Sequence, residues 1–236
     1  MPAPRPGFVL MATFSHGSKE RLTEHDLGRF AADTLFDRIA RAVCRAGCLP
    51  RTELYEAWEV ARRTRRLFRG GRVVDLGAGH GLLGQILLIL DDSSPDALAV
   101  DARLPASAAR LHDALLETWP RLRGRVTFAE LALDAATVRP GDVVVSSHAC
   151  GALTDVVLDL AVAARARVSV LPCCHHLGDK GAPDLTGWVD GALAIDIMRA
   201  VRLEQQGYRV WTQTIPAEVT PKNRLLLASP LAPLAP

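Results

Sequence analysis

Three short stretches carry side chains able to do chemistry. One is Ser146-Ser147-His148-Ala149-Cys150-Gly151-Ala152-Leu153-Thr154-Asp155, another is Leu171-Pro172-Cys173-Cys174-His175-His176, and the third is Val73-Val74-Asp75-Leu76-Gly77-Ala78-Gly79-His80-Gly81-Leu82-Leu83-Gly84. A histidine near its neutral pKa can take or give one proton at physiological pH. A cysteine offers a nucleophile or a soft metal ligand. Glycines let the backbone turn sharply and approach a ligand closely.

The third stretch is an apolar strand running through a glycine turn into a helix. Gly79-His80-Gly81-Leu82-Leu83-Gly84 fits the dinucleotide fingerprint, which would seat a pyrophosphate on the helix N-terminus. Asp75 argues against that ligand. A carboxylate at the strand end repels a pyrophosphate but can accept hydrogen bonds from the ammonium of a methionine moiety, so S-adenosylmethionine fits better. Asp75, Gly77, Gly79 and Gly81, with Ala78 between them, resemble the first motif of class I methyltransferases. The resemblance implies that Asp101, with Ala102 after it, takes the ribose hydroxyls, the alternative for Asp101 being a helix N-cap. Glu130 and Asp134 are the candidates for the adenine amino group, Asp134 slightly preferred.

The first two stretches resemble the eukaryotic tRNA 2′-O-ribose methyltransferase family acting on the acceptor stem, with its His-Leu-Cys-Gly…Thr-Asp motif followed by Cys-Cys-His-His. His148, Cys150, Gly151, Thr154, Asp155, Cys173, Cys174, His175 and His176 coincide with it. Where that family usually has a Lys before the first His, this chain has Ser147, and its amino-terminal Cys/His zinc modules have no counterpart here. The resemblance implies O-methylation of RNA, tRNA being the leading substrate class. Methyl transfer to oxygen needs positioning and removal of one proton. His148 is the candidate base or substrate orienter, with His175 as its competitor.

Cys173 and Cys174 admit three readings. A nucleophile would serve 5-methylcytosine chemistry, but the companion Asp-x-Pro-Cys on the preceding strand is absent. A tetrahedral metal site asks four adjacent residues to converge on one ion, and Cys44 and Cys48 add only a weak pair. Thiols packing the sheet end are the commonest explanation, so no metal is expected.

The elements that must position these residues alternate. Strands are expected at 72–76, 97–100, 126–128, 142–146 and 168–171, with helices at 82–90, 107–118, 154–164 and, at least in part, 185–206. Segments 208–215 and 224–228 are joined too closely for a crossover helix and should pair antiparallel. The expected fold is α/β: a Rossmann-like, seven-stranded methyltransferase sheet over 71–230, mostly parallel with an antiparallel last strand. It follows an N-terminal helical extension over 1–70 and precedes a Pro-rich tail at 231–236. Within the extension, 1–28 reads as loop, 29–48 as one amphipathic helix, and a second helix starts with Thr52 as N-cap and ends near Phe68.

With 236 residues the chain holds one domain and a modest appendage. The longest apolar run, 82–90, is far short of the ~20 residues that cross a bilayer. The amino terminus shows no secretory pattern, and five cysteines read as reduced thiols, so a cytoplasmic location is expected. Net charge is +2, divided as +6 over residues 1–72 and −4 over the rest. A basic front face, with Arg62, Arg63, Arg65, Arg66 and Arg69 on one helix, suits RNA as a partner, or is simply a solvated surface. Thr220-Pro221-Lys222-Asn223-Arg224 could contact phosphate or merely end a hairpin. Two alternatives stay open: a methyltransferase for a small molecule or protein, and a non-catalytic adenosylmethionine-binding partner protein.

Overall fold

The computed structural model describes residues 14–175, 185 and 187–232. The expected alternation is present: β1 (Val73–Leu76), α3 (Leu82–Leu90), β2 (Ala97–Asp101), α4 (Ala108–Thr118), β3 (Val126–Glu130), β4 (Val143–Ser146), α5 (Ala152–Ala163), β5 (Arg167–Val170), α6 (Gly191–Gln205), β6 (Tyr208–Thr214) and β7 (Arg224–Pro230). Two helices precede it, α1 (Leu35–Ala46) and α2 (Arg51–Leu67). The strands form one sheet in the order β3-β2-β1-β4-β5-β7-β6. β1 to β5 are parallel, and β7 runs antiparallel to both its neighbours, β5 and β6. This is the Rossmann-like seven-stranded sheet the sequence implied.

Both faces of the sheet are covered, which is why its central strands read as nearly unbroken apolar runs. Val73, Ala97, Val143, Val145, Leu225 and Leu227 pack on one side with Ile39, Val60, Ile86 and Leu111 from α1, α2, α3 and α4. Val74, Leu76, Val144, Val168, Val170 and Leu226 pack on the other with Val157 of α5 and Leu203 of α6. The two N-terminal helices therefore share a core with the sheet instead of standing apart from it. Among the described residues no helix is long and apolar enough to cross a membrane.

The amino-terminal expectations need correction. Residues 29–48 are not one helix. A 3-10 segment, Glu24–Phe30, starts at a Thr23–Asp26 capping box, and α1 starts afresh where the Thr34 hydroxyl accepts the Asp37 N–H at 3.1 Å. Thr52 is not a cap, because α2 begins at Arg51 behind Pro50 and the Thr52 hydroxyl donates to the Val219 carbonyl. The segment 185–206, expected to be helical at least in part, does hold a helix, which starts at Gly191, where Asp190 caps the Leu193 N–H at 3.0 Å. Of the tail and lead-in, residues 233–236 and 1–13 lie outside the described residues.

The arginine face of α2 is mostly spent inside the molecule. Arg62 and Arg63 pair with Glu59, Arg65 is buried and Arg66 is exposed; Arg69, expected on the same helix, lies past its end, exposed and 4.0 Å from Asp91. The Arg65 guanidinium donates to the Leu87 and Phe68 carbonyls and to Ser94 Oγ at 2.7 Å, with Asp91 3.9 Å away. Burial pulls its pKa down to about 10, the Asp91 charge opposing that pull. Arg65→Leu strands these acceptors and a carboxylate in the interior, so urea unfolding should show a loss of about 3 kcal/mol, against less than about 0.5 kcal/mol for Arg66→Leu on the exposed side.

Candidate active site

The sheet changes direction of growth at β1, which lies between β2 and β4, and the crevice outside the carboxyl ends of those strands is where an open α/β sheet takes its ligand. Gly77, Gly79 and Gly81 carry the chain over this edge with φ of 70°, 52° and 70°, a region closed to most side chains. The turn is held from β2. The N–H groups of Gly77 and Ala78 donate to the Val100 carbonyl, and the Gly79 N–H donates to Asp101 Oδ2 at 2.8 Å. Asp101 Oδ1 accepts the Arg103 N–H at 3.1 Å.

A cradle a side chain would fill is what a cofactor needs here, and the glycines differ in what they face. A Cβ on Gly81 would sit 2.8 Å from Phe128 Cε1, so that glycine seats the turn on the sheet; a Cβ on Gly79 would meet nothing within 4 Å. The outer wall of the turn is thus bare backbone. Asp101 is half-buried beside it, and each of its oxygens keeps a lone pair beyond the one bond it accepts. These features fit an adenosine whose ribose hydroxyls reach Asp101. Ala102 is exposed just beyond, as is Asp134 in the 3-10 turn Leu133–Ala135 past β3. Glu130, its competitor for the adenine edge, is exposed and accepts the Leu104 N–H at Oε2, 3.0 Å away.

Asp75 sits differently from the other acid. Its side chain is buried at 1% exposure and accepts the Gly84 N–H at 2.9 Å, tying the end of β1 to the first turn of α3. Desolvation pushes its pKa up to about 7, the Gly84 bond opposing and the nearby Asp101 charge adding to the rise. In this position the carboxyl shapes the glycine turn from beneath.

His148 stands in the loop after β4. Three bonds set that loop: the Ala149 N–H donates to Ser146 Oγ, the Thr154 hydroxyl donates to the Ala149 carbonyl at 2.5 Å, and the Gly151 N–H donates to the Cys174 carbonyl at 3.0 Å. Gly151 has φ 60° and ψ −127°, a conformation that only glycine adopts without strain, and the buried Thr154 closes the turn. The Gly and Thr of the His-x-Cys-Gly…Thr spacing thus shape this loop. The loop abuts the glycine turn, since a Cβ on Gly77 would come within 3.5 Å of Ala149 N. His148 is exposed, with 41% of its side chain open to solvent. Desolvation lowers its pKa, against the pull of the Asp101 charge, so the imidazole is neutral at pH 7 and can accept a proton.

Its neighbour was almost invisible to sequence reasoning. Glu56 Oε2, from α2, lies 3.8 Å from His148 Nε2. Burial pushes the Glu56 pKa up to about 7, a hydrogen bond with Thr220 working the other way. The single clue was a charge on the inward side of an amphipathic helix, between Leu54 and Ala57.

The rival histidine is engaged elsewhere. His175 Nε2 is 2.7 Å from Asp196 Oδ1, and its side chain is only 6% exposed. Asp196 also binds Arg199 and Arg224, while Asp155 is occupied by Arg199 at 2.7 Å and Arg202 at 3.1 Å. Asp155 and His175 thus brace α5 and the β5 loop against α6 and β7. His176 lies outside the described residues. Cys150, Cys173 and Cys174 come together at the same rim, Cys150 Sγ lying 2.6 Å from Cys173 Sγ and Lys222 Nζ lying 3.5 Å from Cys174 Sγ. Burial raises the Cys150 and Cys173 pKa values, whereas hydrogen bonding from Cys150 and the nearby Lys222 charge lower that of Cys174. The expectation that Cys173 and Cys174 are buried thiols packing the sheet end is corrected: both are half-buried, beside the exposed Cys150.

Asp75 gives a pH test of this geometry. Between its ordinary value of 3.8 and about 7, the folded protein holds a proton that the unfolded chain has released. The stability this contributes is complete below pH 3.8 and is lost as pH rises through about 7. Asp75→Asn removes the dependence, so between pH 4 and 7 the wild type should lose stability relative to the variant by roughly 1 kcal/mol per pH unit in chemical unfolding. A pH-independent difference between the two proteins would show that the carboxyl is not held neutral.

Comparison with solved structures finds low sequence identities. The pyocyanin biosynthetic protein PhzM is 18% identical with a TM-score of 0.49, the alignment covering 90% of this chain and 62% of that one. A ribosomal protein L11 methylase from Lactobacillus delbrueckii subsp. bulgaricus is 15% identical at 0.47, covering 76% and 78%. An rRNA methylase from Streptococcus thermophilus is 14% identical at 0.48, covering 75% and 95%. No curated protein matches the chain. A family described as a methyltransferase domain matches residues 56–179, more than half of the chain, from Glu56 through the glycine turn and His148 to Cys174. By that match the chain belongs to the methyltransferase domain family and is an S-adenosylmethionine-dependent methyltransferase.

Proposed function

We propose that the chain methylates an oxygen nucleophile, the ribose hydroxyl of a structured RNA, with tRNA as the leading substrate class. The observation that carries the reaction type is His148: an open, neutral imidazole in the loop that abuts the glycine turn. S-adenosylmethionine supplies an activated methyl group, so the protein's share is to hold the acceptor in line and remove one proton. His148 takes that proton at an imidazole nitrogen. Glu56 lies on one side of the ring and keeps its own proton up to about pH 7, so it does not compel the imidazole to charge beforehand. Asp101 would hold the ribose of the cofactor, the backbone of Gly77, Ala78 and Gly79 would line its methionine end, and Ala102 and Asp134 would flank the adenine. Asp75 supports the turn from below.

The RNA part of the reading rests on the resemblance of the His148–Asp155 and Cys173–His176 stretches to a tRNA ribose methyltransferase family, and on the cationic residues Lys222, Arg66 and Arg69. A second reading, a small-molecule or protein acceptor, is favoured by the internal pairing of Arg62, Arg63 and Arg65, which leaves little free positive charge on α2.

Calorimetry with the purified chain should show S-adenosylmethionine binding that Asp101→Ala weakens at least tenfold, the loss of about 1.4 kcal/mol or more expected for charge-assisted hydrogen bonds. Tighter binding of NAD than of S-adenosylmethionine would overturn the cofactor assignment.

Mass spectrometry of nucleosides and small metabolites from a deletion strain tests the acceptor. Loss of one ribose-methylated nucleoside, restored by the wild-type gene but not by His148→Ala, is the expected result; the variant should retain cofactor binding and lose roughly 100-fold or more in kcat. Unchanged RNA with one methylated metabolite missing would remove RNA in favour of the second reading.

A further inference from the structure

We propose that Cys150, Cys173 and Cys174 form a three-thiolate site for a thiophilic divalent cation, zinc, which pins together the loops following β4 and β5. The convergence denied to Cys173-Cys174-His175-His176 alone is reached by recruiting Cys150 from the neighbouring strand end. β4 and β5 are adjacent and parallel, with Ser146 opposite Val170, so their two loops leave the sheet side by side. The Gly151 N–H bond to the Cys174 carbonyl then fixes one loop against the other. The three Sγ atoms lie within 4.8 Å of one another. Ligands of one tetrahedral zinc with Zn–S of ~2.3 Å stand about 3.8 Å apart, so small side-chain rotations bring all three onto one ion.

Charge argues for a metal over a simple thiol pair. Three thiolates around a divalent cation carry one net negative charge, and Lys222 Nζ, 3.5 Å from Cys174 Sγ, stands where it neutralises that charge and donates a hydrogen bond to a ligand sulfur. A disulfide between Cys150 and Cys173 would leave both Cys174 and Lys222 without a role. A soft, sulfur-rich set selects zinc over magnesium or calcium. Binding releases the thiol protons and involves no change of oxidation state. With three protein ligands the ion keeps a coordination position toward the rim, open to water or to an oxygen or sulfur of the acceptor.

The site is independent of the acceptor's identity. The test uses the full chain purified with and without added zinc, then desalted. Elemental analysis should give close to one zinc per chain, and cobalt loading should give sulfur-to-metal charge-transfer absorption and the visible bands of a tetrahedral thiolate site. Cys150→Ser, Cys173→Ser and Cys174→Ser should each abolish stoichiometric zinc while S-adenosylmethionine binding and the circular dichroism spectrum report a folded chain. Lys222→Met, which removes no ligand, should weaken zinc about tenfold in competition with a chromogenic chelator. Wild-type protein that keeps no zinc, whether it shows five free thiols or a Cys150–Cys173 disulfide by mass spectrometry, overturns the proposal. Zinc that persists at one per chain in the triple Cys→Ser variant overturns it as well.

Discussion

Two carboxylates at neighbouring strand ends hold the glycine turn, and the rest of the site is arranged around what they hold. Asp101 reaches across from β2 to take the Gly79 N–H, and Asp75 reaches down to take the Gly84 N–H at the start of α3. Its three glycines at positive φ bring no side chains to the turn, so apart from the His80 bond to Ser107 its shape comes from bonds to its backbone. The two acids do different work because their surroundings differ. Asp101 is half-open and can share itself with a ligand, whereas Asp75 is enclosed and holds the backbone alone.

The N-terminal helices belong to this arrangement physically. Ile39, Leu54 and Val60 lie in the same apolar cluster as the sheet residues Val73 and Val143. The Arg65 guanidinium binds the Leu87 carbonyl at the end of α3. Glu56 follows from the same packing: once α2 lies along the sheet, one of its carboxylates stands beside the loop after β4. The extension therefore contributes a wall of the site as well as part of the core.

How much was legible in the sequence depends on how far each signal had to travel. The strand–helix alternation is local, and β1 to β7 appeared within about two residues of their expected places. The turn around Gly77, Gly79 and Gly81 is local too. What failed was either capping detail or long-range convergence. The Thr34 cap and the Gly47 terminus that make α1 a separate helix were overridden by the hydrophobic period running through 29–48. Cys150 and Cys173 are brought together only by the adjacency of β4 and β5, and a scan for ligands within one short stretch misses such a pair. The burial of Arg65 was hidden because a helix face crowded with arginines looks the same whether it meets water or buried carbonyls.

The place of β7 has a consequence for how the sheet is made. It is the last strand in chain order, yet it lies between β5 and β6, and Leu225 to Ala228 are among the most enclosed residues of the protein. Until it arrives, β5 has an open edge and β6 has no partner, and both are templates for pairing with another chain. β7 is thus made after both of the strands it joins, so the growing chain depends on its prompt insertion between them to avoid self-association.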